Sequence, residues 1–262
     1  MSWADAGSSW NKGFEPVAST ALAPNSATCG ENGGCGETLV TRVLTVEREY
    51  GSGGAQIANK VAARLGWKLW DQLLTNEIAR LMECDCRVVE EREEKRDPLF
   101  YRLLMAFMRG SHEGSLNAPR LKIADAACIR EVAERVVKNA AERGECVIVG
   151  RGSAYYLQGR TDAFHVFIYA PFDDKVRRLV AGGKREKEAI QLAETVDRDR
   201  AAFIKQYFGV EWPDRHRFHL MINSAIGEDS AVDTILNGMA MRDKRVTAAA
   251  SQLPHVQQHS VS

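Results

Sequence analysis

Between about residues 39 and 242 the apolar positions follow two alternating rhythms. Short runs rich in β-branched and aromatic residues read as strands: LVTRVLTVE (39–47), WKLWD (67–71), ECVIVG (145–150), FHVFIYAP (164–171) and FHLMINS (218–224). Between them the spacing switches to that of helices. Ile57, Val61 and Leu65 recur every fourth residue, with Ala58 and Ala62 alongside, and Gly66 stands where a helix C-terminus needs a glycine. Further helices are predicted over 72–83, over 121–143 through Ile123, Ala127, Val132, Val136 and Ala140, across a charged stretch at 173–208, and over about 228–241. Five strands with intervening helices predict an α/β fold, a mostly parallel five-stranded sheet covered on both faces.

Outside this body the rhythm is lost. Residues 1–38, rich in Gly, Ser, Asn and Ala, and residues 243–262 read as disordered tails around a domain at 39–242. A helical insert is expected at about 84–120, where VVEEREEKRDP reads as a solvated helix face and LFYRLLMAFMRG as an apolar helix.

Composition narrows the function classes. Lys plus Arg and Asp plus Glu number 35 each, so no global field draws in nucleic acid or anionic lipid. A polyanion site has to be a local arginine cluster. No apolar run is long enough to span a bilayer, and the N-terminus lacks a basic start followed by an apolar stretch. The six cysteines show no paired C-x-x-C spacing, and Cys84 and Cys86 read as ordinary thiols, reduced in a cytoplasmic chain. His112, His165, His216 and His219 have no metal-ligand spacing, and Trp212 before Pro213 reads as a packing anchor. Nothing in the sequence addresses oligomeric state.

In parallel sheets ligands bind beyond the C-terminal strand ends. Three polar groups fall there: the loop at 48–54, Asp71, and Gly150-Arg151-Gly152. The loop, R-E-Y-G-S-G-G, has three readings. Backbone N–H groups at Gly51, Ser52, Gly53 and Gly54, with the positive end of the following helix, suit a phosphate. Against the G-x-x-x-x-G-K-[ST] pattern, Arg48 takes the first glycine's place, Gly54 the lysine's and Ala55, or Gln56 one further on, the hydroxyl's. A dinucleotide loop is the second reading, with Asp71 as the ribose acid. A plain glycine turn that lets the helix pack is the third.

The order of the remaining motifs bears on the choice. EREYGSGGAQIANKVAARLGWKLWD, CVIVGRG, VFIYAP with DDKVRRLVAGGKREKEA, VDRDRAAF and FHLMINS together resemble the cytidylate kinase-like family. The resemblance spans about 40–240. It implies a P-loop NTPase-type three-layer fold, ATP as phosphoryl donor, magnesium (Mg) as its metal, and a nucleoside monophosphate, CMP or dCMP, as acceptor. It assigns Arg151 to the acceptor phosphate, Asp199 with Arg198 and Arg200 to base and phosphate contacts, and Arg177 and Arg178 to a lid over the donor phosphates. Arg48 is the candidate to replace the loop lysine. Ser52 is the candidate hydroxyl near Mg, assisted by Asp71 through water.

Gln72, Glu77, Thr195 and Ala202 depart from the family's nucleotide-reading positions. A non-catalytic nucleotide sensor is therefore the alternative function. Each singled-out residue also has a plain structural reading. Arg151 can be a salt-bridged support, Asp71 a helix cap, and Asp199, Arg200, Arg177 and Arg178 helix surface.

Overall fold

The computed structural model describes residues 41–85 and 126–251. The tail expected at 1–38, the insert expected at 84–120 beyond Asp85, and residues 252–262 lie outside the described residues.

Strand β1 (Val43–Arg48) is buried at every position because it is paired on both edges. With β2 (Lys68–Trp70), β3 (Cys146–Val149), β4 (Ala163–Tyr169) and β5 (Leu220–Asn223) it forms a sheet of order β2-β3-β1-β4-β5. Every pairing is parallel. Both faces are covered, which is why the central strands read as nearly continuous apolar runs.

Seven helices are described: α1 (Gly54–Leu65), α2 (Gln72–Asp85), α3 (Ala126–Glu142), α4 (Ser153–Tyr156), α5 (Phe172–Ala181), α6 (Glu186–Phe208) and α7 (Glu228–Ser251). On one face Leu74 and Ile78 of α2, Val132 and Val136 of α3, and Phe203 of α6 pack on Val43 and Ile148. On the other, Ile57 and Val61 of α1 and Val232 and Ile235 of α7 pack on Leu44, Val46 and Val166. Alternate residues of each strand feed the two cores. Gly66 ends α1 as the sequence predicts, at φ 68°. A third, small core joins Tyr50 of the glycine loop to Leu179, Ala189, Ala193 and Val196 of α5 and α6.

Two boundaries differ from the sequence reading. The charged stretch at 173–208 is two helices, parted after Gly182 by Gly183 at φ 92°, a conformation that suits glycine. The last helix continues from 241 to Ser251. Within that extension Asp243, expected in a tail, accepts hydrogen bonds from Thr41 N–H (3.0 Å) and Thr41 Oγ1 (2.7 Å).

A polar seam crosses the β1–β4–β5 edge. Thr45 Oγ1 and His165 Nδ1 share a 2.7 Å hydrogen bond, and His165 N–H donates to His219 Nδ1 at 2.9 Å. Burial pushes His165 down from its ordinary 6.5 to about 4, with repulsion from His219 and Arg242 adding to it. A histidine held neutral in the fold contributes stability that is complete above about pH 6.5 and is lost as pH falls towards 4. The urea midpoint is therefore expected to fall between pH 7 and pH 5. His165→Gln, which cannot charge, should lose part of that slope. An unchanged slope in the variant would assign the pH dependence to other groups.

Candidate functional site

The glycine loop leaves β1 at Arg48 and enters α1 at Gly54. Gly51 and Gly53 are left-handed, at φ 78° and 75°. A Cβ on Gly51 would lie 3.1 Å from both Cβ and the carbonyl of Lys175. The N–H groups of Gly51, Gly53 and Gly54 have no backbone acceptor among the described residues. They sit at the positive end of α1, an arrangement suited to phosphate. A Cβ on Gly54 would lie 2.6 Å from Arg48 Cβ and 3.0 Å from Arg48 Cγ. The stem of Arg48 thus closes the position of the usual loop lysine. The two departures from the lysine-bearing pattern are one exchange in space.

The loop is held from outside. Ser224 Oγ donates to Ser52 O at 2.6 Å, and Ser52 Oγ donates to Glu49 O at 2.8 Å. Asp197 Oδ1 accepts from Tyr50 N–H at 2.8 Å. Lys175 Nζ bridges Glu49 Oε2 (3.1 Å) and Asp197 Oδ2 (3.2 Å). Glu49 Oε2 also accepts from Ala170 N–H at 3.3 Å.

Beyond the strand ends Arg48, Arg151 and Arg200 come together, only 5%, 2% and 4% exposed. Arg200 Nη1 donates to the Arg48 carbonyl at 2.8 Å and to Asp197 Oδ1 at 3.0 Å. Its guanidinium lies 5.5 Å over the Trp212 ring. Arg48 Nη2 is 4.0 Å from Asp71 Oδ1. Its Nη1 lies so close over Gly150 that a Cβ there would collide with it. Arg151 holds a left-handed backbone at φ 61°, uncommon for a residue with a side chain and a mark of local strain. Burial pushes its guanidinium down to about 9; Arg48 and Arg200 also lower it, while Asp71 and Glu47 oppose the shift. So much positive charge in one buried place favours an anion.

Glu47 lies among these arginines and was read from sequence only as a strand residue. It is 2% exposed. Burial pushes its carboxyl up, against the pull of Arg48, Arg200 and Arg151 and a hydrogen bond from the Gly152 backbone. Its Oε1 has no hydrogen-bond partner among the described residues.

The remaining predicted residues divide. Arg178 lies across Gly53, whose added Cβ would be 3.4 Å from Arg178 Nε, and its Nη2 donates to Ser224 O at 3.4 Å. Its Nη1 is buried without a partner among the described residues, beside the loop. Arg177, one residue earlier, points to solvent and pairs with Asp174 on its own helix. Arg198 is exposed on α6. Asp199 is buried, and Asp197 of the same motif accepts from Tyr50 N–H of the loop. Lys175, Glu49, Asp197 and Ser224 were missed. Asp197 was within reach, since it belongs to the same D-R-D-R run.

The described residues offer magnesium no protein cage. The Ser52 hydroxyl is fully buried and donates within the loop, and Ala55 supplies none. No group of three or more His, Cys, Asp or Glu suited to a metal occurs among the described residues. Among them, too, no helix is long and apolar enough to cross a membrane.

A parallel sheet of this order, with a glycine loop opening α1 and arginines beyond the strand ends, defines a P-loop kinase-type α/β fold. The cytidylate kinase-like family matches residues 43–226, and the chain belongs to that family. A solved structure of an uncharacterized protein from Eubacterium ventriosum is 24% identical. It covers 77% of this chain and 99% of its own, at TM-score 0.54, and shares the fold. Shikimate kinase from Bacteroides thetaiotaomicron is 17% identical, covering 75% of this chain and 97% of its own, at TM-score 0.40. Shikimate kinase from Acinetobacter baumannii, solved with shikimate, is 15% identical, covering 82% and 96%, at TM-score 0.39. At those scores the two carry no argument about this chain. Among curated proteins none matches it.

Proposed function

We propose that this chain transfers the γ-phosphoryl group of ATP to a small acceptor carrying an anionic group. Nucleoside monophosphates, CMP and dCMP first, are the acceptors its family nominates. One observation carries the reading: Arg48, Arg151 and Arg200, from three separate elements, meet in a buried cluster beside a glycine loop. Phosphoryl transfer asks a protein mainly to position two anions and neutralise charge in the transition state. The loop N–H groups and Arg178 suit the donor phosphates. Arg151 suits the acceptor. Magnesium would arrive with ATP, held by phosphates and water rather than by this chain.

The test is ADP formation from ATP and Mg with CMP, dCMP or another small anionic acceptor. Arg151→Ala should lower kcat by about a hundredfold or more, the scale of losing a preorganised charge donor. An Arg151→Ala protein as active as the parent would remove Arg151 from the reaction.

A second reading, a nucleotide sensor without turnover, draws on the absent loop lysine and the committed Ser52 hydroxyl. It expects ATP binding by calorimetry with no ADP formed for any acceptor.

A further inference from the structure

The clustered arginines suit a phosphate acceptor, but Glu47 does not. In transfer between phosphates the receiving oxygen is already anionic and needs no base. A carboxylate buried beside it would repel it. Glu47 is buried among the same arginines. It precedes Arg48 at the end of β1, and it lies within the fields of Arg48, Arg151 and Arg200.

The surroundings of Glu47 are polar and incompletely bonded. One strand over, Phe167 is its register partner on β4, and Trp212 packs edge-on against Phe167 at 5.4 Å. Trp212 Nε1 is buried without a hydrogen-bond partner among the described residues, as is Ser153 Oγ at the start of α4. Tyr155, on the same short helix, is close enough for Glu47 to raise its phenol. A buried polar atom that lacks a partner costs free energy, so several together need an explanation. Glu47 Oε1 is an acceptor that a hydroxyl group of a ligand would satisfy.

We infer that Glu47 is the catalytic base of this chain, and that the atom receiving the phosphoryl group is a hydroxyl on a small anionic molecule. The inference rests on the phosphotransferase reading and narrows its acceptor. The acceptor's own phosphate or carboxylate lies among the arginines. Its hydroxyl oxygen forms a bond to the γ-phosphorus of ATP. The bond from that phosphorus to the β,γ-bridging oxygen breaks, and its electron pair leaves with ADP. The hydroxyl proton passes to Glu47 Oε1 and returns to solvent when product leaves. Burial, which raises the carboxyl, makes it a better proton acceptor near neutral pH. Arg48 from β1, Arg151 after β3 and Arg200 from α6 pull the carboxyl back towards its charged form, and Tyr155 is a further titratable group in its field.

The experiment incubates the full chain with ATP, Mg and, in turn, CMP, dCMP, glycerol 3-phosphate and D-glycerate. Products are followed by phosphorus NMR, which separates a phosphate ester from a phosphoanhydride. CMP discriminates by itself, because a ribose hydroxyl gives an ester and its phosphate gives CDP. The expected product is an ester. Glu47→Gln, which keeps volume and an acceptor oxygen, should lower kcat by about 10²–10⁴-fold with ATP KM nearly unchanged. It should also remove the acidic limb of the pH–rate profile. A melting curve confirms that the variant folds, and Glu47→Asp serves in its place if it does not, with a smaller loss and the limb retained. Formation of CDP or dCDP would uphold the phosphotransferase and overturn the inference. An ester formed equally fast by Glu47→Gln would also overturn it. No transfer to any acceptor would overturn both.

Discussion

Lysine at position 54 is expected to weaken ATP binding by about tenfold or more, and Arg48→Gly in the same chain should restore most of the loss. The expectation follows from space. Residue 54 begins α1 with the stem of Arg48 against it, and any Cβ there would sit 2.6 Å from Arg48 Cβ. Overpacking of a rigid contact costs about 1–3 kcal/mol, and here the strain lands on the glycine loop of the proposed phosphate site. The loop cannot step aside easily. Tyr50 N–H is tied to Asp197, and Ser52 O is tied to Ser224. Arg48→Gly alone opens the space but removes a cation from the cluster, so it too should bind ATP weakly. The double variant carries both glycine and lysine of the common pattern and regains charge and room together. Calorimetry on the parent, both singles and the double gives the coupling. Strictly additive losses would show that the two positions do not trade, whatever their contact.

That exchange could be described from sequence as two departures, but not joined as one. Much else was legible. Strand and helix rhythms gave the five strands and the order of helices, and Gly66 marked the end of α1. Motif order located Arg48, Asp71 and Arg151 at strand ends, where the fold gathers them. The losses came on helices, where successive residues diverge by about 100°. Asp197 and Asp199 therefore leave α6 in different directions, and nothing in the letters says that Asp197 is the one to take Tyr50 N–H. The same geometry sends Arg178 across Gly53 while Arg177 faces water. Glu47 was hidden differently. A charged residue at the end of an apolar strand reads as an exit to solvent, whereas here Glu47 is buried among Arg48, Arg151 and Arg200.

Asp197→Ala is expected to have the largest effect on stability, a loss of about 3 kcal/mol, the low end for breaking a buried ion pair. The side chains of Asp197, Lys175 and Arg200 are 14%, 10% and 5% exposed, so removing the carboxylate strands positive charge away from water. Two separate jobs are lost at once. One is charge balance with Lys175 and Arg200; the other is the acceptor for Tyr50 N–H, which fixes the loop on α6. A second substitution separates them. Lys175→Met in the Asp197→Ala chain removes the stranded ammonium while keeping the stem that packs on Gly51. Apolar replacement of a buried pair often recovers stability, so the urea midpoint should return part of the way to the parent value, with Glu49 now short of its ammonium and Arg200 of its carboxylate. The loop should not recover, because Tyr50 N–H still lacks its carboxylate. ATP affinity should therefore remain low in a protein that folds well. Recovery of both together would mean that Asp197 acts on the loop only through overall stability.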